Sequence, residues 1–339
     1  EYDPSKLPRQ LHDQLLSQLT QAYSTETDPG FHSAIEWLFR KWGQQDQLVV
    51  NHPDAQSGNV EDSLSWSVNG QGHTMIKIPG PVMLTMGSPR DESGREGGTE
   101  KQTERQHERL IKRTWAIASK EVTVEQFMRF RPRHHHSVQY GYDLEAASTS
   151  DCPVNLVTWH DAAAYCNWLS EQEGIPTSEW CFVYEQENEE NAESPAILAL
   201  TGYSKDEGSG DRVMRMVPNY LSRTGYRLPS EAELEYVCRA GTSTTRFFGQ
   251  TDEHLDHYAW SMRNSDYRSH PVGQLKPNDL GVFDIFGNVS EWGQEQISAI
   301  HPERQSGDPK IDGERYPSTD PNTPKLHPMR GGRYSTRPS

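Results

Sequence analysis

No stretch of this sequence approaches the roughly 18 consecutive apolar residues of a membrane-spanning helix, so a helical span is excluded and no membrane partner is expected. Basic charge is also scarce, with 33 Lys and Arg against 49 Asp and Glu, a formal charge of −16. Nucleic-acid affinity comes mainly from cationic side chains displacing counterions, so a nucleic-acid partner is set aside. Cysteine is rare and scattered. Cys152, Cys166, Cys181 and Cys238 form no C-x-x-C pair, which excludes a zinc knuckle and a disulfide-rich scaffold and leaves the redox compartment open. Hydrophobic residues make up only 33% of the chain, so much of its length must be loop. The chain opens at Glu1 with no signal-peptide pattern, which reads as a piece or processed product of something longer, in a cytoplasmic setting.

What is present in quantity is acid, glycine (26), proline (22) and tryptophan (9), the texture of a loop-rich globular chain pinned by aromatics. The length suits one large or two unequal domains. The acidic balance suits solubility and cations that take oxygen ligands.

Residues 1–50 read as a helical pair. Leu11, Leu15, Leu16 and Leu19 recur at helical spacing, then Asp28-Pro29 opens a second segment through Ile35, Trp37, Leu38 and Trp42 to Gly43. Asp as cap, Pro at the first helical position and Gly after the end are the expected punctuation. The pair resembles the end of a helical-repeat region. Residues 51–71 are polar and read as a linker, and residues 72–339 as the main domain. Strands are expected at Met75–Ile78 and Val82–Met86, and helices at Thr123–Phe130 and Trp159–Ser170. A third helix is expected from Ser230, where Ser230-Glu231-Ala232-Glu233 is a capping box. Asp91–Glu108 reads as an exposed loop and residues 185–211 as a mobile surface insertion. His134-His135-His136 reads as solvated, and Gly94 to Gly98 lacks the strand-to-helix setting of a phosphate loop.

Three separated blocks then come in order. The first is Met75-Ile-Lys-Ile-Pro-Gly with Leu84-Thr-Met-Gly-Ser88 and Glu121-Val-Thr-Val-Glu-Gln-Phe127. The second is Pro153-Val-Asn-Leu-Val-Thr-Trp159 with Asp161–Leu169, then Gly225-Tyr-Arg-Leu-Pro-Ser-Glu-Ala-Glu-Leu-Glu-Tyr236. The third is His270-Pro-Val-Gly273, Gly281-Val-Phe-Asp-Ile-Phe-Gly-Asn-Val-Ser-Glu-Trp292 and Met329-Arg-Gly-Gly332. Together, over roughly residues 72–334, they resemble the formylglycine-generating-enzyme (sulfatase-modifying-factor) family. The resemblance implies an α+β fold, an elaborated C-type lectin-like domain with twisted antiparallel sheets, two main helices and many ordered loops.

The resemblance also implies a structural calcium ion at Asp284–Glu291, held by the Asp284 and Glu291 side chains and the carbonyls of Gly287 and Val289. A hard cation wants six or more oxygens, and a tight turn at Gly287-Asn288 can aim carbonyls and carboxylates inward together. The reading of the residues alone is that Asn288, Glu291 and Trp292 close the turn by hydrogen bonding. A second family calcium site would fall between Trp260 and His270, where Asp266 is the sole carboxylate.

Catalytic members of the family follow a Gly-Gly-Ser-aromatic strand with two cysteines that bind copper(I). Here the strand reads Gly331-Gly-Arg-Tyr-Ser-Thr-Arg-Pro-Ser339, with Thr336 at the first cysteine's position. A hydroxyl is a poor copper(I) ligand and cannot do thiol chemistry, so copper is not expected and no catalytic residue is assigned. In secreted relatives the positions of Cys166 and Cys238 pair with cysteines of a C-terminal segment. The expected function is a non-catalytic module for ligand or protein binding within a larger signalling or defence protein, with Arg330, Arg333, Tyr334 and Arg337 as exposed contacts. Arg and Tyr are enriched at binding hot spots. The expected partner is a protein or peptide. The competing reading is a copper-dependent oxidase that makes formylglycine from a peptide cysteine, with its own cysteines beyond Ser339.

Overall fold

The computed structural model describes residues 6–48, 64–89, 106–132, 134, 149–184, 214–295, 310–311 and 327–335. The proposed insertion at 185–211, Thr336 and Arg337 lie outside them.

The helical pair forms where its punctuation placed it. Helix α1 spans Arg9–Thr25 and α2 spans Pro29–Lys41; Asp28 caps α2 by accepting from the Phe31 amide, and Pro29 takes the first turn. Leu16, Tyr23, Ile35 and Phe39 bury against one another between the two helices. Burying a side chain of this size contributes about 1.5–3 kcal/mol. The pair also docks on the remainder of the chain. His32 is stacked between Tyr23 and Trp66, at ring separations of 4.2 and 3.6 Å, and the Trp66 indole donates to the Glu26 carbonyl. Glu36, almost fully buried, pairs with Lys120 at 2.5 Å and with Arg40 at 2.9 Å.

Trp66–Val68 forms strand β1 within the stretch read as a linker, and it pairs with β2 (Thr74–Ile78). Polar residues dominate that stretch, but Trp66 and its fit to α2 supply the burial a strand needs. The sheet is completed by β5 (Trp115–Ala118), in the order β1-β2-β5. A second sheet pairs β3 (Val82–Met86) with β4 (His107–Ile111), and β11 (Lys310–Ile311) lies parallel to β4. His107 and Glu108, expected in a loop, are therefore strand residues. Ile76, Ile78, Leu84, Ile111 and Trp115 from these two sheets pack with Val237, Val282 and Ile285 in the largest core cluster.

Among the described residues, three capping boxes start the remaining α-helices, as the local sequence requires. They are Thr123/Gln126 at α3 (Val124–Phe130), Thr158/Asp161 at α4 (Trp159–Gln172) and Ser230/Glu233 at α5 (Glu231–Arg239). Glu233 is fully buried and answers its burial with two guanidinium groups, Arg113 at 2.6 Å and Arg227 at 2.7 Å. Beside α4, β6 (Phe182–Tyr184) pairs with β7 (Met214–Met216) over a core of Trp159, Phe182 and Tyr220. Among the described residues from 240 onward, a 3-10 helix (Asp252–His257) stands amid loop and two-residue strands: β8 (Ala259–Trp260) parallel to β9 (Phe286–Gly287), and β10 (Glu291–Trp292) antiparallel to β12 (Met329–Arg330). This loop-rich end carries the candidate site.

Candidate functional site

The loop 284–291 and the segment 329–334 are built as one unit. Asp284, Gly287 and Asn288 have φ of 51°, 94° and 52°, and Gly331 and Gly332 have φ of 89° and 75°. This run of left-handed residues makes the chain turn tightly twice, and glycine adopts such angles without strain. A Cβ on Gly287 would stand 2.1 Å from the Trp260 carbonyl oxygen, so glycine is required there for space as well. The Gly287 amide donates to the Gly331 carbonyl, the Tyr334 amide to Asn288 O at 2.8 Å, and the Ser290 hydroxyl to Gly332 O at 2.9 Å. Ser265 Oγ donates to the Tyr334 carbonyl at 2.8 Å. The segment proposed for recognition therefore hangs from the loop proposed for calcium.

Asn288 is the hub. It is fully buried, and all of its polar groups are used. Its amide donates to Trp260 O and its carbonyl accepts from Tyr334 N. Its side-chain oxygen accepts from His270 N, and its side-chain nitrogen donates to His270 O and to Glu121 Oε2. The His270 ring stacks on Trp260 at 3.8 Å. Of the three residues read as closing the turn by hydrogen bonding, Asn288 makes these bonds, while the Trp292 indole donates to Val157 O, outside the turn, at 2.9 Å.

Asp284 and Glu291 bracket this hub. Asp284 is 2% exposed; one carboxylate oxygen accepts from the Gly273 amide at 2.7 Å, while among the described residues Oδ1 is buried with no hydrogen-bond partner. Burial pushes its carboxyl above the ordinary range against the pull of the Gly273 amide, Lys120 and Arg40. Glu291, half-buried on β10, is raised by burial and by the Asp284 charge. Glu121, which follows β5 and which sequence patterning did not single out as a site residue, is raised well above its usual value. Burial is the main cause, then the charges of Asp284 and Glu291.

Among the described residues no group of three or more His, Cys, Asp or Glu side chains converges closely enough to hold a metal ion by itself. A cation here would draw on main-chain carbonyls, and the surroundings fit that. A Cβ on Gly331 would fill space 3.3 Å from the Ile285 carbonyl oxygen and 3.8 Å from that of Val289. With the unpartnered Asp284 Oδ1 and the Glu291 carboxylate, the donor set is all oxygen, the set a hard cation takes. Asp266, the carboxylate of the second expected site, is exposed on a left-handed turn.

The expected contact residues separate. Arg333 is exposed and Tyr334 half-buried, both on the rim of a large groove. Arg330 differs from an exposed contact. Its guanidinium is held on α5 by Glu231 at 2.6 Å and Glu235 at 3.4 Å, because its pairing opposite Glu291 turns it inward. The groove has a volume of about 1340 Å³ and runs between β5, α4 and the 289–292 strand. Its rim carries Leu156 and Met329, 49% and 58% exposed. Among the described residues β5 has β2 as its single strand neighbour, and Ala116 and Ala118 on β5 line the groove. They stand opposite Lys77 and Met75. Ser119 and Thr74 form a hydrogen-bonded pair, so alternation directs the main-chain groups of Ala116 and Ala118 away from β2. No short-range sequence signal marks this edge, because it depends on which strands fail to pair.

Of the four cysteines, all free, Cys152, Cys166 and Cys181 are buried and Cys238 is half-buried. Burial raises the thiols of Cys166, Cys181 and Cys238, the last two to about 11 and about 12.

Residues 65–339 match the family described as the sulfatase-modifying factor enzyme 1-like domain. The chain is 30% identical over 168 residues to the chaperone protein LppX of Paenibacillus barcinonensis, covering 44% of this chain and 54% of that protein. It is 29% identical over 206 residues to the formylglycine-generating enzyme of Mus musculus, covering 57% of this chain and 38% of that enzyme. It thus spans about half, or less, of the length of these curated relatives. Among solved structures it is similar to Treponema denticola variable protein 1, with a TM-score of 0.58 and 26% identity over 78% of this chain and 85% of that one. It shares its fold with PvdO from Pseudomonas aeruginosa, with a TM-score of 0.50 and 19% identity over 80% and 87% of the two chains.

Proposed function

Because the chain belongs to the sulfatase-modifying factor enzyme 1-like family, matched over residues 65–339, we propose that it is a binding module of that family, taking an extended peptide segment of a protein partner, and not an oxidase. The observation that carries this reading is the groove beside Arg333 and Tyr334. It offers a β5 edge that no other strand joins among the described residues, an apolar lining and a rim with exposed Leu156 and Met329. An extended peptide can add to such an edge through its main chain, while pockets read its alternate side chains. A relative named as a chaperone is consistent with recognition of polypeptide.

The cysteines argue in the same direction. Copper(I) chemistry of the formylglycine-generating type needs two accessible thiolates close together, whereas burial holds Cys166, Cys181 and Cys238 protonated. Thr336 stands at the position matching the first catalytic cysteine.

Calcium enters this reading as a structural ion. Asp284, Glu291 and the carbonyls of Gly287 and Val289 would hold it. Its charge would offset the carboxylates and stiffen the loop from which Tyr334 hangs.

An array of immobilised random decapeptides, probed with the chain and with an R333A/Y334A variant, tests the binding reading alongside a copper assay. We expect sequence-selective capture that falls at least tenfold in the variant. Copper(I)-loaded protein given a cysteine-containing peptide and oxygen should form no aldehyde. Aldehyde formation with oxygen uptake would support the oxidase, and capture indifferent to the double substitution would remove the groove rim from the site.

A further inference from the structure

Glu121 lies between Lys120 and the cap of α3, 9% exposed, and its Lys120 neighbour is turned to Glu36 instead. Among the described residues its carboxylate accepts from Val289 N at 3.1 Å and from Asn288 Nδ2 at 2.8 Å, both in the 284–291 loop. These two bonds hold the peptide joining Asn288 to Val289, and with it the directions of the neighbouring carbonyls.

A buried carboxylate that meets no cation is expensive, and more so beside like charges. Position 121 needs two acceptor oxygens, one for Val289 N and one for Asn288 Nδ2; a carboxylate supplies both and a glutamine only one. Independently, among the described residues Asp284 Oδ1 is buried with no hydrogen-bond partner. A divalent cation held by the loop would offset the first cost, that of the buried carboxylate, and supply the missing partner of Asp284 Oδ1.

We propose that Glu121 is a positioning residue of the cation loop, fixing the Asn288–Val289 peptide, and with it the Val289 carbonyl, toward a bound divalent cation. The proposal rests on the calcium reading of residues 284–291.

The test compares wild type with E121Q, as the whole chain stripped with EGTA, by calorimetric titration with CaCl2 and by thermal melts with and without it. In E121Q calcium affinity should fall about tenfold or more, the range for residues that orient metal ligands. The metal-free melting temperature should fall, since a glutamine cannot accept from both Val289 N and Asn288 Nδ2, and the calcium-induced rise should shrink. Calcium binding equal to wild type, or a lower metal-free melting temperature with an undiminished calcium response, would overturn the proposal while leaving the calcium reading intact. Wild type that binds no calcium would overturn both. If E121Q does not fold, E121D, which keeps the charge but shortens the reach, takes its place. An E121D affinity equal to wild type would show that positioning plays no part.

Discussion

Asn288 Nδ2 donates to Glu121 Oε2 at 2.8 Å, joining residues 167 positions apart in the chain. One end of the link lies just ahead of α3, and the other is the left-handed corner of the 284–291 loop. Through the Asn288 carbonyl the same residue carries Tyr334, so the recognition segment, the cation loop and the first half of the domain meet at one side chain.

Replacing Asn288 by alanine should therefore cost more than a surface change. It takes the Asn288 bond from the His270 amide and from Glu121 Oε2 and puts a β-carbon residue without Asn's local hydrogen bonds at φ 52°. The expected loss is about 2–4 kcal/mol, read from urea denaturation. A loss below about 1 kcal/mol would mean that water takes over the bonds and that Asn288 is not a hub.

Arg330 and Arg333 should behave differently. R330A removes the ion pairs to Glu231 and Glu235 and should lower stability by about 1 kcal/mol, the upper range for partly exposed pairs. R333A should leave the melting temperature within a degree or two of wild type and weaken peptide capture. The reverse pattern would exchange their roles.

Glu233 gives a pH signature. Burial alone would raise its carboxyl, but Arg227, then Arg113 and the Ser230 amide, hold it down to about 2. A folded value below the unfolded one means stability that is present above pH ~4.5 and lost as pH falls toward 2. E233Q should be markedly less stable at neutral pH, by about 3 kcal/mol or more, since two partly buried guanidinium groups lose this counter-charge. It should also show a flatter stability profile between pH 4.5 and 2. An unchanged acid limb would place the acid sensitivity elsewhere, for example at Glu36, which Lys120 and Arg40 hold to about 2 against its burial.

The docking of the helical pair can be tested at Gly281. Its φ is +86°, and a Cβ there would lie 2.4 Å from the Pro29 carbonyl oxygen at the start of α2. G281A should loosen α2 from the domain, raising hydrogen exchange in α2 and quenching of Trp66 by acrylamide. Unaltered exchange would show that the pair holds together without this contact.

The helices were legible because their causes are local. Asp28-Pro29, Thr123 with Gln126, Thr158 with Asp161 and Ser230 with Glu233 act within one turn, and each helix starts where they stand. The ordered blocks were enough to identify the family, because glycines at left-handed corners and aromatics at fixed spacing leave their mark on the sequence itself. Strand β1 was not legible, since Ser65-Trp66-Ser67-Val68 becomes a strand only when β2 and α2 cover it. Arg330 was misplaced for the same reason. A free surface arginine and a half-buried ion-paired one are the same letter, and the Glu231 and Glu235 that hold it are nearly a hundred residues away.

By itself, then, the sequence determined the helix starts, the left-handed corners and the absence of a cysteine after Cys238, all properties of adjacent residues or of composition. Tertiary structure alone decided that Glu121 would meet Asn288 and Val289, that β5 would have β2 as its single strand neighbour among the described residues, and that Tyr334 would hang from Asn288. Those are long-range choices, made by burial and hydrogen-bond satisfaction over the whole chain, and no window of neighbouring residues contains them.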